Sequence, residues 1–555
     1  MDSLSKKHNR KAIRLALKNL PEKLDDTYDE VMERISNQDK YDVLLANQVL
    51  SWITHTFRPL TIGEIQHALA VLPGDTELDE EAVNDVDLLV SVCGGIVTID
   101  RESKIVRLVH YTTQQYFERV RIARFPNAHY EIGMSCISYL SFDVFKTGPC
   151  HTDEDMDRRL ESYSLLRYAA QYWSNHVREV PQRIIGQAVL VHLGHELQVS
   201  SFTQAAHVTP ASAVMNFQYS KSFPRGHSAM HVAASCGLEF ICELLLGRGS
   251  NPNTKDYYGQ TPLSWAAKNN HETVVQLLLC SSGVDPNSED NNRRTPLLHA
   301  AESGHRDVVQ LLLDHGIDAN LKDNYGRTPL FNATAEGHGA VVQQLLDRGV
   351  DADLKDNYGR TPLVHAVECG HDKVVQLLLD RGVAADLKDN YGRTPLIHAV
   401  GYGHEKVVQL LLDCGVDIDS KDNFGYTALL LAAKYGHEKV VQLLLDRGVN
   451  ADSKNNDSRS PLSYAAEKGY EIIVKLLLGR ADVDAESKDN SGRTPLSWAA
   501  KGGNEIVIKL LLGCAGVDAH SRDNSGRTPR SYANERGNRG VARLLADHVA
   551  STPTC

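Results

Sequence analysis

Apolar residues in the C-terminal part of the chain return on a fixed beat. Leu297, Ala300 and Ala301 share one helical face at i, i+3, i+4 spacing, and Val308-Val309 with Leu311-Leu312-Leu313 form a second apolar run after Gly304. Gly316 then stops the second helix. The linking segment, Ile317 to Lys322, leads into Asp323-Asn324-Tyr325-Gly326, a turn in which glycine supplies the positive φ. Thr328 is a good N-cap, and Pro329 fits the first helical position, where its missing N–H costs nothing. The string from Lys322 to Leu330 recurs from Lys355 to Leu363 and from Lys388 to Leu396. Indexed on the capping residue, the copies fall at Ser228, Thr261, Thr295, Thr328, Thr361, Thr394, Thr427, Ser460, Thr494 and Thr528, in steps of 33 or 34 residues. A period of this length predicts a stacked array of helix pairs over 221–555, mainly α, whose product is surface.

The copies differ in ways that carry expectations. The first has Phe223 where the turn Asp belongs. The eighth has Asn455 for Asp and Ser458 for Gly, which predicts a less regular loop. The last reads Thr528-Pro529-Arg530, with a charge at a core leucine position, as a polar terminal cap requires.

The first 220 residues lack this beat. Tyr41 to Phe57 is periodic as a helix, and Arg58-Pro59 breaks it. Thr61 with Glu64 forms a capping box for a helix to about Val71, and Glu77 to Val90 reads as a third helix. Ile96–Ile99 and Lys104–Val109 alternate as strands around the turn Asp100–Ser103. Three helices and a hairpin predict a winged-helix-like domain over 1–126, with His110 to Phe117 opening the next helix. Residues 127–220 read as a helical region and linker: helices at Tyr163–His176 and Gln182–Leu197, a linker at Gln204–Lys221.

The repeat, with Gly-x-Thr-Pro-Leu, Gly-His and Val-Val-x-Leu-Leu-Leu in register, resembles the ankyrin repeat, in about ten copies. The head, through Leu50-Ser51-Trp52-Ile53, Arg58-Pro59-Leu60-Thr61, Cys93-Gly94-Gly95-Ile96-Val97 and Leu108-Val109-His110-Tyr111-Thr112, is similar to the winged-helix region that follows the nucleotide-binding module in fungal NACHT–ankyrin proteins, relatives of innate-immune receptors. No Gly-Lys pair of a phosphate loop occurs in the chain. The resemblance therefore implies the back half of such a receptor, without the ATP switch.

Composition changes the picture little. A net charge of −12 argues against broad nucleic-acid binding, and residues 1–126 hold 16 Lys and Arg against 20 Asp and Glu, with no basic recognition helix. No apolar run of membrane-spanning length and no apolar signal core at Met1 is present, so an intracellular monomer in nucleus or cytoplasm is expected. Ten cysteines without Cys-x-x-Cys spacing read as buried reduced thiols. Lys6-Lys7-His8-Asn9-Arg10-Lys11 reads either as a nuclear-entry signal or as a basic helix face.

No nucleophile elbow, acid–base pair or cofactor loop stands out, so neither an enzyme nor a cofactor or metal is expected. His271, His305, His338, His371, His404 and His437 open successive second helices; the ankyrin resemblance implies that they bond neighbouring backbone. His365 and His398 are neighbours in the stack, but no third metal ligand is evident.

Binding is argued from two columns. At the turn tips stand Tyr258, Tyr325, Tyr358, Tyr391 and Phe424, flanked by Arg327, Arg360 and Arg393 and by Lys322, Lys355 and Lys388. Tyr and Arg are hot-spot residues, though all of these are also frequent at their positions in the repeat. The fourth residue after each cap reads Val232, Trp265, His299, Asn332, His365, His398, Leu431, Tyr464, Trp498 and Tyr532. That column either faces a groove and writes specificity, or fills the gap between stacked helices. The function expected is a protein–protein interaction scaffold, with a partner bearing an acidic segment. The alternative is a nuclear co-regulator that binds a transcription factor rather than DNA.

Overall fold

The computed structural model describes residues 24–208 and 218–551. The basic stretch Lys6–Lys11 and the middle of the expected linker, residues 209–217, lie outside them. The chain is mainly helical and divides into two compact units, Met1–Asn291 and Asn292–Cys555. No helix among the described residues is long and apolar enough to cross a membrane.

The first unit opens with α1 (Leu24–Ser36) and α2 (Lys40–His55). Asp39 starts α2 by accepting the N–H groups of Tyr41 and Asp42. Next come β1 (Leu60–Thr61) and α3 (Ile62–Ala70), whose capping box between Thr61 and Glu64 forms as the sequence suggests. Arg58 closes on the Glu64 carboxylate at 2.5 Å. The expected helix from Glu77 to Val90 does not form as one piece. A short 3-10 turn spans Glu80–Ala82, and α4 is confined to Val86–Ser91. Asp79 and Asp85 each cap a separate start, and the acidic stretch between has no apolar face to bury.

The hairpin is β2 (Val97–Ile99) with β3 (Ile105–Leu108), and the sheet has a third strand that alternation did not reveal. Its order is β1-β3-β2, all antiparallel, with Leu60 opposite Val106 and Val97 opposite Leu108. Two residues are too few for a periodic signal, and β1 exists because the extended entry to α3 lies along β3. Helix α5 (Tyr111–Arg124) follows, and the phenol of Tyr116 donates to Asp29 on α1 at 2.5 Å.

Beyond it lie α6 (Ala128–Leu140), α7 (Asp153–Ser162), α8 (Leu166–Arg178), α9 (Gln182–Leu193) and α10 (Glu196–His207). Helices α6 and α7 are absent from the sequence reading, and Gly194 splits the single helix expected from Gln182 to Leu197. The linker expected from Gln204 is contradicted at its start. Gln204 is buried in α10, donating to the carbonyls of Ser220 at 2.6 Å and Cys150 at 2.9 Å.

The first repeat is not free-standing. Its second helix, Glu239–Gly247, packs on α9, where Gln182 accepts the Phe240 N–H at 3.1 Å and Arg183 lies 5.6 Å over the Phe240 ring. A Cβ on Gly186 would come within 3.2 Å of that ring, so a glycine is what lets α9 approach.

The second unit shows the repeat in full. In the fourth copy the helices are Pro329–Ala335 and Gly339–Asp347. Thr328 caps the first through the Phe331 N–H, while Leu330 and Ala333 are wholly buried. Each first helix packs on the next, and each second helix on the next. Several of the column's histidines bond backbone as expected: His338 reaches the Glu302 carbonyl at 3.0 Å, His371 that of Ala335 at 3.0 Å and His404 that of Glu368 at 3.1 Å, whereas His437 Nε2 is buried without such a bond. Gly337, at φ +75°, lies under the His371 ring.

Two expectations are corrected here. The eighth loop is regular: the Asn455 side-chain oxygen accepts from Asp457 and Arg459 as the turn Asp does elsewhere, and Ser458 takes φ +58°. The described cysteines are all free thiols, but only Cys93, Cys136 and Cys242 are buried; Cys280, Cys369 and Cys414 are exposed. In the last repeat Arg530 is exposed where other copies bury a leucine.

Candidate functional site

The tip string has an internal use for nearly every residue. Lys322, Lys355 and Lys388 each donate to the carbonyl of the lysine one repeat on, at 2.9, 2.7 and 2.8 Å. Asp323 accepts the N–H groups of Tyr325 and Arg327 and so shapes the turn. The side chains of Asn357, Asn390 and Asn423 donate to the carbonyl of the preceding asparagine in the column, and their backbone N–H groups donate to the preceding tip aromatic. Arg327 and Arg360 bond their own turn Asp at 2.8 and 2.9 Å. The capping threonine, the proline at the first helical position and the buried leucine complete the string.

The aromatic residue is the exception. Tyr258, Tyr325, Tyr358, Tyr391 and Phe424 expose 42, 52, 51, 48 and 54 % of their surface. Arg327, Arg360 and Arg393 lie over Tyr325, Tyr358 and Tyr391 at 4.8, 4.9 and 5.3 Å, which holds each ring upright against a cation. Tyr258 belongs to the first unit and the other four rings to the second.

The second column is placed differently from its groove reading. His299, Asn332, His398, Tyr464 and Trp498 are buried, and Trp265 and His365 are partly covered. Trp265, His398, Tyr464, Trp498 and Tyr532 bond the turn residue nine positions earlier. Trp265 and Trp498 donate to Asp256 and Asp489 at 3.0 and 3.1 Å, His398 meets Asp389 at 3.0 Å, and Tyr532 donates to Asp523 at 2.5 Å. Where the turn residue is Asn455, the polarity reverses and its amide donates to Tyr464. Hydrogen-bonding reach, not free variation, thus unites tryptophan, histidine and tyrosine here.

Sequence reasoning also missed Glu368. It stands between the two histidines, 3.1 Å from His398 Nδ1 and 3.7 Å from His365 Nε2, and takes Arg360 at 3.2 Å. Burial, and then the Arg360 guanidinium beside it, pushes His365 down to about 4, so it is neutral at pH 7. The clue was a glutamate three residues after the histidine, one helical turn along. Among the described residues no three His, Cys, Asp or Glu side chains are grouped to hold a metal ion.

The arrangement can grip a surface by rows of half-exposed rings beside fixed cations. Residues 32–122 match the model of the GPI inositol-deacylase winged helix domain. Residues 202–290, 275–356, 333–422, 414–488 and 473–554 match a model described as ankyrin repeats in three copies. Azaphilone pigments biosynthesis cluster protein L of Monascus ruber is 27% identical over 306 residues, 49% of this chain and 62% of that protein. Rabankyrin-5 of Mus musculus is 43% identical over 54 residues, 10% of this chain and 5% of that protein; the Homo sapiens protein is 41% identical over 54 residues. The chain thus spans less than two thirds of each of these relatives. With ankyrin matches running from 202 to 554, and a winged-helix domain ahead of them, the chain belongs to the ankyrin-repeat family.

Proposed function

We propose that this protein is a non-catalytic adaptor that holds a partner protein against the aromatic tips of repeats four to seven. Ankyrin repeats support a protein-interaction role. The observation that carries the finer reading is the row of rings: Tyr325, Tyr358, Tyr391 and Phe424 are large apolar tip side chains that the array leaves about half in solvent. Rings so presented are good anchors, because they cover area with few torsions to freeze. The neighbouring lysines keep their charge while bonding carbonyls, so the row favours an acidic stretch of the partner.

Affinity capture with the full chain, run beside a variant with Tyr325→Ala, Tyr358→Ala and Tyr391→Ala, tests this. A partner kept by the native chain and lost by the folded variant supports the tips as the contact. Each ring is expected to contribute about 2 kcal/mol as a hot spot. Equal recovery would move recognition away from the tips.

A further inference from the structure

Most repeats obey a pairing rule. The first two have His227 and Gln260 before the cap; in the third, fourth, fifth, eighth, ninth and tenth an arginine stands there and meets its turn carboxylate four residues back, or a glutamate eight residues on, or both. Arg360 has Asp356 at 2.9 Å and Glu368 at 3.2 Å; Arg294 has Glu302 at 3.0 Å; Arg459 has Glu467; Arg527 has Asp523 at 3.0 Å and Glu535 at 3.8 Å.

The sixth and seventh repeats break it. In the sixth, Gly401 occupies the glutamate position, and Asp389 is met by His398 at 3.0 Å but not by the Arg393 guanidinium. The nearest carboxylate oxygen to the Arg393 guanidinium is then that of Asp422, at 3.9 Å. In the seventh, Tyr426 replaces the arginine and Lys434 replaces the glutamate. Lys434 Nζ lies 4.6 Å over the Tyr426 ring and 3.4 Å from its hydroxyl, with no carboxylate of the described residues within 4.0 Å.

Both cations line one cleft of about 430 Å³, with Tyr402, Phe424, Tyr426 and Tyr435 among its walls. Tyr402 and Tyr435 end the first helices of these two repeats and are largely exposed. The cleft's own carboxylates are spoken for. Asp422 is held by the N–H groups of Phe424 and Tyr426 and is 3% exposed, and Glu368 is shared by His398 and Arg360. The Arg393 side chain is 41% exposed, so the charge this cleft offers to solvent is positive.

We propose that this cleft seats an acidic segment of a partner protein, with one carboxylate between Arg393 and Lys434 and an adjacent apolar side chain against the rings. The proposal deepens the adaptor reading and rests on it only in taking the array as the binding part. A forked guanidinium suits a carboxylate, and the aromatic walls exclude water from the pair.

The test is a display selection of random peptides of roughly twelve residues on the full chain, followed by affinity measurement on the enriched peptides. Enriched sequences should place Asp or Glu beside Phe, Tyr, Trp or Leu. Their Kd should rise at least about tenfold in Arg393→Gln and again in Lys434→Gln, and stay within about twofold in Lys439→Gln on a second helix. Thermal melting of each variant checks that it folds. No enrichment of acidic peptides, or binding indifferent to both cleft variants, overturns the proposal. So does displacement by inorganic phosphate or a single-stranded oligonucleotide as readily as by the peptide, which would mark a general anion site. The Tyr325, Tyr358 and Tyr391 variant, run alongside, separates the two readings: peptides lost there but not in the cleft variants sink the cleft alone, and the reverse sinks the tips alone.

Discussion

The head and the array bury histidines for opposite ends. In the array, a histidine ties one repeat to the one before it, as His371 ties to Ala335, and the bond spans 36 residues. In the head, His55, His129 and His176 form a cluster gathered from three helices. The ring centroids of His55 and His129 are 5.2 Å apart, His129 Nδ1 lies 2.9 Å from His176 Nδ1, and Tyr168 holds His176 Nε2 at 2.8 Å. The array's links are nearest-neighbour and can fail one at a time. The head's links join distant parts of the chain and fail together.

Acid should separate the two most widely. Burial first, and neighbouring histidines second, push His176 and His192 down to about 3; burial takes His55 to about 4. The unfolded chain titrates these groups near 6.5, so it binds more protons than the folded head below that value. Their stabilisation is full above about pH 6.5 and falls as pH drops toward 3 to 4. Between pH 7 and pH 5, His176 and His192 should each withdraw about 2 kcal/mol. Hydrogen exchange corrected for intrinsic rates reads this: α6, α8 and α9 should lose protection while the helices from Glu405 to Asp446 keep theirs, and within the second unit the helix Pro362–Glu368, which carries His365, should weaken with the head. Uniform loss along the chain would erase the contrast.

Truncation is the next largest effect. Because α9 covers the second helix of the first repeat, a fragment of 221–555 should lose on the order of 3 kcal/mol of protection over Ala229–Gly247 as core side chains lose cover. Later repeats should be little changed. Full protection of that segment in the fragment would show that the first repeat caps itself.

Within the array, Gly337→Ala should destabilise by about 2 kcal/mol, since the residue sits at φ +75° and a Cβ would lie 2.9 Å from the His371 ring. A thermal melt measures it. Asn390→Ala removes one exposed 3.1 Å bond to the Asn357 carbonyl and should cost about 1 kcal/mol or less. A larger loss there than at Gly337 would mean that the tips, not the helices, carry the stacking.

The period, caps and paired helices were legible because each is written in adjacent residues and repeated. Thr328-Pro329 and Gly337 announce themselves. The head was half legible: the hairpin and the Thr61–Glu64 box were, while β1 was too short to alternate and the acidic run before Val86 looked helical only by composition. Helices α6 and α7 were missed because packing against distant segments, not a clean amphipathic stripe, decides them. For the column from Trp265 to Tyr532 the sequence leaves open whether it faces a groove or fills the gap between stacked helices. Trp265, His398, Tyr464, Trp498 and Tyr532 share no hydropathy; they share a ring that reaches the turn residue nine positions back, and that partner is visible only in three dimensions. Glu368 was overlooked for the same reason.

The asparagine ladder has one further consequence. Each tip hangs from the previous one by a side-chain amide and a backbone bond, so the interval between successive rings is fixed by the main chain and not by whatever lies on them. The row is a ruler with one aromatic tick per repeat. Duplicating or losing a whole repeat would change how many ticks it has but not their pitch, and a partner matched to that pitch would gain or lose grip in whole steps.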